Sequence, residues 1–174
     1  MKIILASKSG VRKQILDKHD IDNEVIVSNV DEDEIKESLL AEGANPLTIS
    51  KNLAEIKSIK VSNKQPNRIV LGADSVIALN EELINKPNSR EEAFEILKRL
   101  NNSKHYLISS VCISKNGAMI WNHTESSELK MKNLTNEELL LYLSKIETKT
   151  LLAYGVYQIE AEGLELFEYV KGDM

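Results

Sequence analysis

Apolar and polar positions along the chain fall into blocks that switch between short apolar runs and helical spacing. Residues 2 to 6, KIILA, form an apolar run that breaks at SKSG, and in the following VRKQILDKHD the positions Val11, Ile15 and Leu16 share one helical face. The pattern predicts strand, polar turn and helix. A β-branched alternation in EVIVSNV predicts a second strand, ending at Asp31, Glu32, Asp33 and Glu34, four acids suited to the positive first turn of a helix. Asn45 and Pro46 open a further helix with Ile49, Leu53 and Ile56 as its apolar stripe, and Lys57 lies one turn on from Leu53, near the buried side.

RIVLGADSVIAL is apolar on both alternating faces, as a central strand is, yet holds Gly72 and Asp74 in its middle. NEEL predicts a hairpin turn. SREEAFEILKRL predicts a helix with a capping box of Ser89 and Glu92 and an inner face of Ala93, Ile96, Leu97 and Leu100. HYLISSVCISK and AMIWNHTESSELKMK flank Asn116 and Gly117, a strong hairpin signal, and a second capping box, Thr135 with Glu138, opens TNEELLLYLSKI. GVYQIEAEGLELFEYVKGDM returns to strand-like spacing. Strands alternate with helices early and long hairpins come later, which predicts an α/β fold: a mixed twisted sheet with flanking helices.

The length of 174 residues, 42% of them apolar, fits one compact domain or two small lobes sharing a core. With 27 Asp or Glu against 22 Lys or Arg, the net charge of −5 argues against a nucleic-acid polymer or a membrane surface as partner. Small phosphorylated ligands fit. The start, MKIILASKSG, turns polar too soon for a signal peptide and no 18-residue apolar run exists, so the expected location is the cytoplasm. The single cysteine, Cys112, excludes an internal disulfide and is expected to be a small core residue. His19 reads as a helix-end cation, His105 and His123 as strand-face residues, and Trp121 as packing.

No phosphate-loop, dinucleotide, zinc-helix or nucleophile-elbow motif is present, so chemistry must come from dispersed polar residues. At the first turn, Ser7, Lys8, Ser9 and Gly10 lead into Arg12, bringing hydroxyls, backbone N–H groups and a guanidinium to a helix N-terminus. They make either a phosphate cradle or a Ser cap beside a solvated Arg. Asp74 inside an apolar strand needs a metal, a cation or hydrogen-bond donors, and reads equally as a metal ligand or general base and as an Asp at a bulge beside Gly72. Glu32 taken alone is a solvated helix start, Lys57 and Lys86 snorkelling or turn lysines, and Glu160 an outward strand charge. A hydrolase built on Cys112 or Ser75 lacks any His nearby in sequence.

In order and spacing these pieces resemble the Maf family of nucleoside triphosphate pyrophosphatases, over almost the whole chain. LASKSGVRKQIL is similar to the family's LASxSPRRxxLL, keeping Ser7, Ser9 and Arg12 and replacing Pro by Gly10 and the first Arg by Val11. VDEDE resembles the acidic VDE element and places Glu32, and NLAEIKS resembles LAxxKA and places Lys57. GADSVIAL resembles GADTVV with Asp74 as the catalytic carboxylate, and INKPNSREEAFEIL resembles GKPxxxxEAxxxL with Lys86. GVYQIEAEG resembles GAYxIQGxG, with Glu160 in place of Gln. The resemblance implies a single domain over residues 1–174, two lobes around a central cleft, and a family closing segment beyond Gly172 and Asp173 that is absent here.

It also implies an enzyme that cleaves non-standard or modified nucleoside triphosphates to monophosphate and pyrophosphate, with Glu32, Asp74 and Glu160 holding Mg²⁺ or another divalent metal such as Mn²⁺. Asp74, Lys86 and Glu32 are the implied catalytic residues. Ser7, Ser9, Arg12, Lys57, Val11, Ser75 and Glu160 are the implied substrate residues, the cations and the helix N-terminus neutralising the triphosphate. A homodimer is implied as well. The alternative from another class is a non-catalytic nucleotide-binding regulator linked to cell division. Val11, Ser75 and Glu160 depart from the Arg, Thr and Gln that go with thymidine and uridine triphosphates, and an ionised Glu160 accepts hydrogen bonds only. An acceptor-only side chain favours a base edge rich in N–H groups, as guanine offers, and the likeness of the EG element to members associated with methylated guanine nucleotides implies 7-methyl-GTP or another modified purine, with cytidine triphosphate tolerated.

Overall fold

The computed structural model describes residues 1–159 and 161–172. Among these, seven strands and six helices form a mixed α/β fold. Their order is β1 (Ile3–Leu5), α1 (Gly10–Lys18), β2 (Asn23–Val25), α2 (Glu32–Ala41), α3 (Pro46–Ser62), β3 (Val70–Leu79), β4 (Glu82–Ile84), α4 (Arg90–Leu100), β5 (Lys104–Lys115), β6 (Ala118–Met131), α5 (Asn136–Ser144), α6 (Thr148–Tyr154) and β7 (Phe167–Lys171). The sheet runs β2-β1-β3-β5-β6-β7, and β4 pairs with β3. β1 is parallel to both β2 and β3, whereas the β3/β4 and β6/β7 pairs are antiparallel. The chain divides into two compact units, one of Met1–Ser75 with Ile108–Glu125 and one of Val76–Leu107 with the residues from Ser126 onward. No helix of the described residues is long and apolar enough to cross a membrane.

In the first unit, Ser9 caps α1 by accepting from the Arg12 backbone N–H at 3.3 Å. Of the expected apolar face of α1 only Leu16 is buried, and Ile15 is 46% exposed. β2 is shorter than the alternation suggests. Ile26 N–H still reaches the Leu5 carbonyl at 3.1 Å, but β1 ends at Leu5 and leaves no partner for a longer strand. Asp31 caps α2 by accepting from the Glu34 N–H, so the other acids fall in its first turn as expected.

Asn45 caps α3 and Pro46 opens it. The buried face of α3 is Ile49, Ser50, Leu53, Ala54, Lys57, Ser58 and Val61, spaced three and four apart, while Ile56 turns half out. That face is narrow because it packs closely: a Cβ on Gly72 of β3 would lie 2.3 Å from the Ala54 carbonyl oxygen and 2.8 Å from the Ser58 nitrogen. Buried hydroxyls satisfy one another, Ser50 donating to Ser110 at 2.9 Å and Ser58 lying 2.7 Å from Ser114. Cys112 is fully buried, as expected of a core thiol. Asn116 and Gly117 both have positive φ, 50° and 76°, and turn β5 into β6 as a two-residue hairpin. Trp121 departs from expectation: it is 50% exposed on β6 and stacks on His123 at 6.1 Å.

In the second unit, Asn80 and Glu81 have φ of 50° and 67° and link β3 to β4. Ser89 caps α4, but Glu92 accepts from the Asn88 N–H instead of closing the box on Ser89. The Thr135–Glu138 box at α5 closes in both directions. Ala93, Ile96, Leu97 and Leu100 of α4 join Leu129, Met131, Leu139, Leu143 and Leu151 in one apolar core. α6 is an element the apolar pattern did not predict, and strand-like spacing after Gly155 becomes strand only at β7, after a 3-10 turn at Glu162–Leu166. His105 is fully buried, its Nε2 2.9 Å from the Tyr157 hydroxyl, with Phe167 against both rings. Burial lowers its pKa to about 4.

Candidate active site

Two side-chain groups in the first unit meet at consecutive residues of β3. The first is built on the β1–α1 turn. Ser7 is buried, and its Oγ accepts from the Ser9 N–H at 3.1 Å and from Arg12 Nη1 at 3.2 Å. Arg12 Nη1 also donates to the Ala73 carbonyl at 2.8 Å, and Nη2 donates to Ser75 Oγ at 3.4 Å. The guanidinium is thus fixed to the backbone beside Asp74, at the N-terminal turn of α1, where the helix dipole is positive. Ser75 Oγ lies 3.0 Å from Ser109 Oγ, so β5 braces the cradle too. Val11 is half-buried on the same turn of α1.

The second group is acidic with a cation at its centre. Lys57 is 4% exposed and Asp74 5% exposed, with Lys57 Nζ donating to Asp74 Oδ1 at 2.7 Å. The same Nζ is 2.8 Å from Glu32 Oε1 at the start of α2. Asp74 Oδ2 is buried and has no hydrogen-bond partner among the described residues. Asp74 lies within β3, which runs from Val70 to Leu79. Burial raises the Asp74 carboxyl above the ordinary aspartate value and the Glu32 charge adds to the rise, against the opposing pull of Lys57 and Arg12. An orphaned oxygen on such a carboxylate is poised to take a proton or a cation.

Of the residues singled out by the sequence, Ser7, Ser9, Arg12 and Ser75 fall in the first group and Glu32, Lys57 and Asp74 in the second. Lys86 belongs to the second unit, exposed in the loop between β4 and α4. Glu160 lies outside the described residues. Ser109 and the Ala73 carbonyl were not foreseen: the only trace of Ser109 is a hydroxyl in the apolar run HYLISSVCISK, and a carbonyl leaves no trace. Among the described residues no group of three or more His, Cys, Asp or Glu is placed to hold a metal, and Glu32 and Asp74 supply two carboxylates.

A mixed α/β fold with a buried, half-satisfied aspartate beside an arginine–hydroxyl cradle at a helix N-terminus defines a protein of the phosphate-handling class. More particularly, the chain belongs to the Maf family, whose model, described as Maf-like protein, matches residues 2–174. It is 60% identical over 172 residues to a nucleoside triphosphate pyrophosphatase of Pelagibacter ubique (strain HTCC1062), covering 99% of this chain and 88% of that one. It is 32% identical over 173 residues to a 7-methyl-GTP pyrophosphatase of Brucella abortus biovar 1 (strain 9-941), covering 99% and 87%. Among solved structures, a HAM1 protein from Coxiella burnetii is similar with a TM-score of 0.47 at 16% identity, over 75% of this chain and 73% of that one.

Proposed function

We propose that this chain hydrolyses nucleoside triphosphates, modified ones included, to nucleoside monophosphate and pyrophosphate. The observation that carries the reading is Asp74, a buried carboxylate with one oxygen held by Lys57 and the other without a partner among the described residues. A water hydrogen-bonded to Oδ2 gives that oxygen its proton as it adds to the α-phosphorus, and the bond to the bridging oxygen breaks to release pyrophosphate. Arg12, already oriented by Ala73 and Ser7, and the N-terminus of α1 stabilise the charge on the phosphate oxygens. Lys86 is assigned to the triphosphate on its motif alone.

Glu32 and Asp74 are the described residues we assign to a divalent cation, Mg²⁺ or Mn²⁺, with Glu160 as the third carboxylate. The donor set suits such an ion, since Mg²⁺ takes one or two carboxylates and completes its shell with water and phosphate oxygens, and the Glu32 and Asp74 carboxylates already converge on one cation, Lys57 Nζ. When bound, the ion supplies charge neutralisation at the phosphates and acidifies a ligated water.

The names of the relatives support both a general and a 7-methylguanine substrate, and the departures at Val11, Ser75 and Glu160 favour the modified purine. A homodimer in the cytoplasm completes the proposal. Pyrophosphate release from a panel of triphosphates tests the activity. Nucleotide binding by calorimetry with no turnover would overturn it, and a clear preference for dTTP or UTP over 7-methyl-GTP and CTP would overturn the base assignment.

A further inference from the structure

We propose that Lys57 is the resident counter-ion of the Glu32–Asp74 pair, and that its charge makes the pair a poor site for a bare divalent cation and a good one for a cation that arrives with a triphosphate. The inference rests on the metal assignment above and concerns this chain's own lysine. Its ammonium is within hydrogen-bonding distance of both carboxylates at once, 2.7 Å from Asp74 Oδ1 and 2.8 Å from Glu32 Oε1. Two of its three donors are therefore committed to acids.

The stem lies on the buried face of α3 with Leu53, Ala54 and Ser58, and the residue is 4% exposed. A buried ammonium paired this way does not swing out to serve as a free phosphate ligand. What it does is hold two like-charged carboxylates together, which without a cation would repel. Arg12 adds a second positive charge acting on Asp74. Two carboxylates beside that ammonium and guanidinium are neutral together, and a bare divalent ion would leave the group with an excess of positive charge. A triphosphate brought with the ion restores the balance. Lys57 thereby couples metal binding to substrate binding, a division of labour open to a compact, flexible ammonium.

The test is Mn²⁺ binding to the full chain without nucleotide, by calorimetry, for wild type, Lys57→Met and Lys57→Arg, each checked for fold by circular dichroism. Lys57→Met, nearly isosteric and neutral, is expected to bind bare Mn²⁺ about tenfold tighter or more, and to gain more in Tm on adding Mn²⁺. Lys57→Arg, which keeps the charge, is expected to bind as weakly as wild type. Mn²⁺ binding to Lys57→Met no tighter than to wild type overturns the proposal. Should Lys57→Met not fold, ¹⁵N-lysine labelling of wild type decides: the Nζ resonance of Lys57 is expected to move as Mg²⁺ with a non-hydrolysable triphosphate saturates the protein, and a resonance that stays in place overturns the proposal. Pyrophosphate release by wild type is measured in parallel, and its absence counts against the activity and not against the counter-ion role.

Discussion

Asp74 carries the most at the scale of single residues. Asp74→Asn keeps the size and polarity of the side chain and leaves Lys57 its second partner, Glu32, so the fold is expected to survive with Tm changed by less than about 4 °C. Turnover is expected to fall about 100-fold or more, roughly 3 kcal/mol of transition-state stabilisation, because an amide takes no proton from water. Steady-state pyrophosphate release with a parallel thermal melt checks both, and near-native turnover would remove Asp74 as base or ligand. Arg12→Ala and Lys86→Ala are expected to act mainly through KM, rising about tenfold, since a cation on the phosphates contributes binding first. If neither KM nor kcat moves in either variant, the cation assignments are wrong. Asp74 stood out in the sequence as a charge in an apolar strand that needs a partner, and the structure supplies one in Lys57. Lys57 was legible only as a lysine near a helix's buried side, since its two acids come from elements 25 residues before it and 17 after it.

The contact between α3 and β3 makes its own demand on the sequence at the level of elements. Gly72→Ala would place a methyl 2.3 Å from a backbone carbonyl that cannot rotate away. The expected result is a loss of about 1–3 kcal/mol in urea unfolding, with turnover reduced as well because α3 carries Lys57. A variant as stable and active as wild type would contradict the packing argument. In the second unit, His105 has a folded pKa lowered to about 4 by burial, against an ordinary value near 6.5. The unfolded chain therefore binds the extra proton first as pH falls. Stability from keeping His105 neutral is full above about pH 6.5 and is lost progressively down to about pH 4, by roughly 3 kcal/mol in total. Urea midpoints between pH 7 and 4 should show that slope, and His105→Gln should flatten it; an unchanged slope in the variant would assign the acid sensitivity elsewhere. Helix starts were well predicted because Ser9, Asp31, Asn45, Ser89 and Thr135 act within three residues of themselves. α6 was not predicted, because its seven residues carry neither a side-chain cap nor a full apolar face.

Over the whole molecule the net charge of −5 and the proposed polyanionic substrate are reconciled only locally, by Arg12, the α1 N-terminus and the divalent ion we propose. Chelation is therefore expected to abolish pyrophosphate release and Mg²⁺ to restore it. Release that persists after exhaustive chelation would exclude the metal from the reaction. Legible in the sequence alone were signals of short reach: helical periodicity, most helix caps, the Asn116–Gly117 turn, and short motifs whose order marks the family. Those signals survive without coordinates because each is completed within a turn of helix or a hairpin. Only the tertiary structure decided that Lys57 is clasped by Glu32 and Asp74, that Arg12 is anchored on the Ala73 carbonyl, that Ser109 braces Ser75, and that Ile15 and Trp121 are exposed. Each of these depends on which face of one element meets another far along the chain, and hydrophobic spacing names the buried face without naming its partner.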